Sequence, residues 1–123
     1  MKVLLSIKPE YVEKIFNGTK KYEFRKSLFK RRDITIVVIY ASSPLKRVVG
    51  EFEIENILSD DVNTVWEQTK NYSGITKAFY YSYFQKSKTA NAIQIGRLTK
   101  YEISRPLSDF NIHQAPQSFC YIS

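Results

Sequence analysis

Residues 34–42, ITIVVIYAS, are apolar at nearly every position rather than at alternate ones. Side chains of a strand point in turn to the two faces of its sheet, so this stretch predicts a strand that is buried on both faces. Its β-branched residues suit an extended backbone. We therefore expect a central strand, which ends at Ser42, Ser43 and Pro44.

The segment before this strand is expected to form a short strand and then a helix. The apolar run KVLLSIK reads as the strand, and Pro9 suits the first helical position because its missing N–H would be unpaired there. Val12 and Ile15 share one face of the helix. Asn17 followed by Gly18 provides its left-handed stop.

The segment after the central strand predicts strands on either side of a helical region. KRVVGEFEIENI alternates with period two, and NAIQIGRLTKYEISRPL reads as one long or bent strand with a bulge at Gly96. Between them, residues 60–88 read as helical, with Asp60 or Asp61 as a cap. The tail after residue 108 has no clear period.

These elements predict an α+β fold of about five strands with short helices inserted between them. So few strands in a chain of 123 residues cannot make a wide doubly wound sheet, which leaves a small, strongly bent mixed sheet or a closed barrel. We expect a single domain over residues 1–123 with a modest hydrophobic core.

The charge balance favours polyanionic partners, because 19 Lys and Arg against 12 Asp and Glu give a formal net charge of +7. One cysteine, Cys120, excludes an internal disulfide, and with one histidine, His113, it leaves no cluster for zinc or iron, so neither a metal nor a cofactor is expected. No segment approaches the ~20 apolar residues of a membrane span. A cytoplasmic protein without a membrane partner is expected.

A cationic cluster with a single acid, Glu23, occupies residues 20–32. Its members are Lys20, Lys21, Arg25, Lys26, Lys30, Arg31 and Arg32. One interpretation is a phosphate-binding edge with aromatic side chains beside it for base contact. The other is a solvated loop between two strands, as most charge runs are.

Glu23 and Arg25 point to the same side of a predicted strand, and Tyr22 and Phe24 point to the other, which we take as the core side. The charged pair is either an ion pair on the exterior or the wall of a cleft that grips phosphate or a base edge together with Lys20. Spacing alone favours the exterior ion pair, which is worth ~0–1 kcal/mol if exposed.

A second acidic face comes from a column of carboxylates on a later strand, Glu51, Glu53 and Glu55. If one of them met Lys20 in a partly desolvated site, the two could form a general acid/base pair. The alternative is the polar outer face of an antiparallel sheet.

The aromatic residues between 66 and 84 could line a stacking cleft, but aromatics at helical spacing usually belong to the core. We expect at least Phe79 and Phe84 to be core residues.

The residues Gly18-x-Lys20-x-x-Glu23-x-Arg25 resemble the G-x-K-x-x-E-x-R signature of the ASCH domain, a member of the PUA-like superfamily. The preceding LLSIKPEYVEKIFNG and the later VVGEFEIENI also resemble that family, and APQSFCYI resembles a closing segment of its prokaryotic and phage-associated branch of predicted regulators. The resemblance implies a small PUA-like mixed β-barrel with helices over its openings.

The resemblance further implies a module that binds RNA, single-stranded nucleic acid or a modified nucleoside and regulates transcription or translation. Lys20, Glu23 and Arg25 would converge on the ligand. The other cations of the cluster would contribute to the same surface, namely Lys21, Lys26, Lys30, Arg31 and Arg32.

Some proteins of this family are amidohydrolases of N4-acetylcytidine or cleave RNA. The amidohydrolase type resembles this chain at Lys20, but its nucleophilic Thr is replaced here by Glu23. An enzyme would then use Lys20 with Glu23 and Glu53 to activate a water. The sequence leaves open the exact ligand, the choice between RNA and DNA, and the oligomeric state.

Overall fold

The computed structural model describes residues 1–122, which form one sheet with helices packed against it. In chain order the elements are β1 (Lys2–Ile7), α1 (Pro9–Phe16), β2 (Tyr22–Arg25), β3 (Ile36–Ala41), β4 (Arg47–Asp61), α2 (Val62–Thr69), α3 (Lys77–Tyr83), β5 (Thr89–Arg105) and β6 (Phe119–Ile122). Short 3-10 helices cover Lys70–Tyr72 and Leu107–Phe110.

The sheet has six strands in the order β2-β5-β4-β3-β1-β6. It is mixed, because β1 and β3 pair in parallel and the other neighbours pair antiparallel. The expected α+β class is confirmed, but the closed barrel is not, since within residues 1–122 the strands β2 and β6 remain separate edges. The additional strand is β6, which is too short to show a period in the tail.

The strand β3 occupies the central position predicted for it, between β4 and β1. Its side chains alternate between two cores. Val37 and Ile39 pack in the core beneath α1, while Val38 and Tyr40 pack in a second core on the opposite face. Burial on both faces is therefore the physical reason for its continuous apolar sequence.

The helix α1 begins and ends where its sequence predicts. Pro9 is the first helical residue, Asn17 is the C-cap, and Gly18 follows with φ of +85°. Val12 and Ile15 are buried against the sheet. The chain then turns directly into β2, so the helix stop determines where the signature residues begin.

The helices α2 and α3 cover the other end of the sheet, over β2 and β5. Asp61 caps α2 by accepting a hydrogen bond from the Thr64 N–H at 2.9 Å. The predicted bulge is present, because Phe52 pairs with Leu98 but Ile54 pairs with Ile95, which leaves one extra residue beside Gly96 in β5. The long strands β4 and β5 contribute to two core clusters. Phe52 and Ile93 pack in the core beneath α1, and Ala90 and Ala92 pack beneath α2 and α3.

Candidate functional site

A cavity of about 190 Å³ lies between β2, the turn from β1 into α1, and α3 with the turn before it. The lining residues 75–83 are distant in sequence from the other two segments and meet them only in the folded chain. The cavity is lined by Ser6, Ile7, Lys8, Tyr11, Lys20, Glu23, Phe24, Arg25, Ile75, Phe79 and Tyr83. Three of the signature residues, Lys20, Glu23 and Arg25, thus share one cavity.

Lys20 is buried, with 3% of its surface exposed. Its Nζ donates a hydrogen bond of 2.8 Å to the backbone carbonyl of Ser73 and lies 4.8 Å from the centre of the Phe24 ring and 5.4 Å from that of Tyr11. Burial lowers the pKa of Lys20 to about 8, although the charge of Glu23 opposes the shift. The ammonium form therefore predominates at pH 7, and the uncharged amine becomes the main form above about pH 8.

Glu23 is also buried, with 7% of its surface exposed. Burial raises the pKa of its carboxyl group, and the charges of Arg25 and Lys20 counteract part of that rise. Its Oε2 lies 3.4 Å from the Nε of Arg25. The expectation of an exposed exterior ion pair is therefore wrong, because Glu23 and Arg25 both line the cavity and their side chains are only 9% and 13% exposed.

Arg25 connects β2 to the far side of the cavity. Its Nη2 donates to the carbonyl of Ser6 at 3.4 Å and to that of Ser118 at 3.1 Å. Among residues 1–122 its Nε is a buried nitrogen without a hydrogen-bond acceptor. A buried donor of this kind is costly and uncommon, so the side chain retains bonding capacity next to the cavity.

Aromatic rings form another part of the cavity lining. The ring centres of Tyr11 and Phe79 lie 5.9 Å apart with the planes tilted by 58°. Phe79 lies nearly parallel to Tyr83, with an angle of 8° between the planes and 6.3 Å between the ring centres. The expected core position is confirmed for Phe84, which is 1% exposed, but it is wrong for Phe79, which is 40% exposed.

The sequence interpretation missed Ser6, Ile7, Lys8, Tyr11 and Ile75. For Tyr11 a signal was present, because it precedes the buried Val12 on α1 and so points beside the core face toward the signature strand. The others carry no chemical pattern, and only the meeting of the three segments identifies them.

The other predicted cations lie outside the cavity lining. The Nζ of Lys26 lies 4.7 Å above the ring of Tyr83, at the cavity edge, and that of Lys21 lies 4.5 Å above Tyr72. Arg31 binds Asp33 through two hydrogen bonds of 2.9 and 2.7 Å. Like Arg31, Lys30 and Arg32 are exposed in the loop between β2 and β3.

The carboxylates of β4 are directed elsewhere, and none of them is among the cavity-lining residues. Glu51 accepts hydrogen bonds from Tyr101 at 2.9 Å and from Lys2 at 3.3 Å. Glu53 is exposed opposite Ile36 in the sheet. The structure thus provides Lys20 with Glu23 as its acidic neighbour and does not bring Glu53 to it.

Within residues 1–122, no group of three or more His, Cys, Asp or Glu side chains is placed to hold a metal ion. The same part of the chain contains no helix long and apolar enough to cross a membrane.

The fold and the site define a small α+β domain with a cleft lined by a buried Lys, a buried Glu and a partly buried Arg. Residues 5–99 match the ASCH domain, and this protein belongs to the ASCH domain family. The crystal structure of ASCH from Zymomonas mobilis resembles this chain with a TM-score of 0.89 and 26% sequence identity, covering 99% of this chain and 87% of that one.

Two relatives in sequence are larger proteins. The ATP synthase subunit alpha of Ureaplasma parvum serovar 3 is 31% identical over 121 residues, which are 98% of this chain and 15% of that protein. An ASCH domain-containing ribonuclease of Zymomonas mobilis subsp. mobilis is 32% identical over 89 residues, or 72% of this chain and 60% of that protein. This chain therefore spans less than two thirds of the length of either relative.

Proposed function

We propose that this protein binds single-stranded RNA and holds one unpaired base in the cavity beside β2. The observation that carries the proposal is the convergence of two buried charged side chains, Lys20 and Glu23, and the partly buried Arg25 on one small cavity. Burying such groups costs folding free energy. Clusters of this kind in a cleft are therefore candidates for a functional site.

The size of the cavity supports one base rather than a larger ligand. Its volume of about 190 Å³ is below the ~300–1,000 Å³ of pockets that enclose drug-sized molecules. A base in a duplex has its edges covered by pairing and its faces by stacking, whereas an unpaired base can be turned out into a cleft.

The chemistry of the lining suits a heterocyclic base. The carboxylate of Glu23 would accept a hydrogen bond from a base N–H, and the guanidinium of Arg25, which lines the cavity, would donate to a base oxygen or nitrogen. The rings of Tyr11 and Phe24 would provide apolar contact. A modified nucleoside satisfies the same requirements and is the alternative ligand of this site.

The choice of RNA is supported by two further observations. The net charge of +7 favours a polyanion, and the Zymomonas relative that shares 32% identity over 89 residues is named a ribonuclease. We also propose that binding regulates transcription or translation, as in the predicted-regulator branch, by covering an unpaired segment of a transcript.

The proposal is tested by fluorescence anisotropy of a short labelled single-stranded RNA, titrated at several salt concentrations. Glu23→Gln preserves the shape of the side chain but removes the acceptor-only carboxylate, so it should weaken binding about tenfold or more. Glu53→Gln is the matched control, because Glu53 is exposed on β4, and its affinity should equal that of the wild type.

Equal affinity for the wild type and Glu23→Gln would contradict this location of the site. If the wild type bound no RNA even at low salt, titration with free modified nucleosides would decide whether the cavity takes those instead.

RNA cleavage is a second candidate function, favoured by the Lys20 pKa of about 8 and the raised pKa of Glu23. Proton-transfer groups work best when their pKa is near the operating pH. The Lys20 amine would accept the proton of a ribose 2′-OH as its oxygen attacks phosphorus. In its protonated form, which the raised pKa favours, the Glu23 carboxyl group would donate its proton to the 5′-oxygen as the bond between phosphorus and that oxygen breaks.

A gel assay of labelled RNA across pH 5 to 10 separates binding from cleavage. Cleavage should be lost in Lys20→Met and retained in Lys21→Met, since Lys21 lies outside the cavity on Tyr72. RNA that is bound but remains intact at every pH would exclude this second function.

A further inference from the structure

Phe79 is a large apolar side chain that the fold leaves partly in solvent, with 40% of its surface exposed. It belongs to α3, in which Tyr80 is buried, and the C-cap residue Phe84 is buried as well. Tyr80 and Phe84 are 0% and 1% exposed and pack against Phe24. Because Phe79 and Tyr83 are four residues apart, they share the helix face next to the buried one.

This face of α3 borders the cavity, since both Phe79 and Tyr83 are lining residues. Their rings are nearly parallel, with an angle of 8° between the planes. Packing within the core does not require this arrangement, because Phe79 has no place in the buried clusters of residues 1–122.

Positive charge accompanies the same face. The Nζ of Lys26 lies 4.7 Å above the Tyr83 ring, and the exposed Lys8 lines the cavity. An aromatic surface with cations beside it is the combination that proteins use to hold the bases and phosphates of single strands.

The cavity accommodates one base, so the rest of an RNA strand must leave across its edge. We propose that the Phe79–Tyr83 face of α3 is a second subsite, on which the base of the adjacent nucleotide stacks while Lys26 or Lys8 contacts the connecting phosphate. This inference rests on the proposed RNA binding. It predicts that the site recognises a dinucleotide step of single-stranded RNA rather than an isolated base.

The test compares ribonucleoside 5′-monophosphates with the corresponding ribodinucleotides by NMR titration, which measures even millimolar affinities. Phe79→Ala should weaken dinucleotide binding by roughly 5- to 150-fold, the loss expected for one stacked base. Mononucleotide binding should fall by a clearly smaller factor, so that the advantage of the dinucleotide over the mononucleotide is lost. Phe79→Leu keeps a large apolar side chain but removes the aromatic face, so it should lose most of the same dinucleotide affinity. Because this substitution disturbs the packing less than Phe79→Ala, it also controls for misfolding.

Tyr72→Ala is the matched control, because Tyr72 is an aromatic residue with 52% exposure that carries a cation, Lys21, but does not line the cavity. Its affinities should equal those of the wild type. An equal loss for both ligands in Phe79→Ala, or no loss for either, would overturn the second subsite while the proposed function stands. Absence of any nucleotide binding by the wild type would overturn both.

Discussion

The ammonium group of Lys20 lies where its charge is disfavoured. Burial removes water from it, while the Ser73 carbonyl, the Phe24 ring and the charge of Glu23 compensate only in part. The result is a pKa of about 8 against the usual 10.5. Lys21, by contrast, is exposed, and its Nζ lies 4.5 Å above the Tyr72 ring.

The depressed pKa of Lys20 predicts how stability changes with pH. Between pH 8 and 10.5 the unfolded chain binds a proton at Lys20 that the folded chain does not, so the free energy of unfolding should rise with pH in this window. The gain is about 3 kcal/mol relative to Lys20→Met, measured by urea denaturation. Tyrosine ionisation is common to both proteins and cancels in the comparison.

Lys21→Met is the control, and its unfolding free energy should run parallel to that of the wild type over the same pH range. Parallel curves for Lys20→Met and the wild type would show that Lys20 has no depressed pKa.

Gly74 determines where the Lys20 side chain can lie. Its φ is +71°, and a Cβ at this position would overlap the Lys20 Cβ and come within 2.6 Å of its Cγ. Gly18 has a similar φ of +85° but nothing within 4 Å of its Cβ position. The two glycines thus share a left-handed backbone conformation that would strain any other residue. They differ in that only Gly74 lies against the Lys20 side chain.

Alanine substitutions at these two glycines should separate the cost of the left-handed backbone from the cost of displacing the Lys20 side chain. Gly18→Ala should cost about 1 kcal/mol for the left-handed backbone. Gly74→Ala should cost a further ~1–3 kcal/mol, because Lys20 must move, and should raise the Lys20 pKa toward its usual value in an NMR titration. Equal losses in both variants would contradict a positioning role for Gly74.

At the scale of elements, α3 shows how one helix serves the core and the cleft together. Its aromatics occupy consecutive and four-apart positions, so two adjacent faces are equally aromatic and periodicity does not distinguish them. Packing against Phe24 assigns Tyr80 and Phe84 to the core. Phe79 is then left on the exposed side, which is why its expected burial was wrong.

Substitutions of Phe84 and Phe79 should show how differently the buried face and the exposed face of this segment contribute to stability. Phe84→Ala should destabilise the fold by about 3–5 kcal/mol, the usual cost of removing a buried Phe. Phe79→Ala should cost less than about 1.5 kcal/mol, because its exposed side chain leaves no enclosed void. Thermal and urea unfolding provide the comparison, and similar losses at both positions would contradict the two-faced arrangement.

At the scale of the whole molecule, Arg25 ties the two ends of the sheet together. It extends from β2, which is one edge, to Ser6 of β1 and to Ser118 beside β6, the other edge. Its guanidinium bridges a gap that backbone pairing does not close in residues 1–122. The cavity lies in this gap, which explains why a sheet that does not close can still enclose a site.

Arg25→Ala should therefore affect stability as well as binding. It leaves the buried Glu23 without its cationic partner and should cost about 3 kcal/mol, with faster hydrogen exchange of the β6 amides. Adding Glu23→Gln should recover part of the loss. Arg31→Ala is the control, since its Asp33 pair is exposed, and it should cause a much smaller change.

The sequence by itself determined the local elements, namely the central strand β3, the bounds of α1 from Pro9 to the Asn17 cap, the bulge at Gly96 and the signature residues of the family. These follow from side-chain periodicity and from backbone preferences, which act over a few residues. Only the tertiary structure decided that Lys20, Glu23 and Arg25 line one cavity, that Glu53 lies elsewhere, and that β6 joins the sheet without closing it. Such features depend on contacts between distant segments, and no local pattern specifies which buried faces will meet.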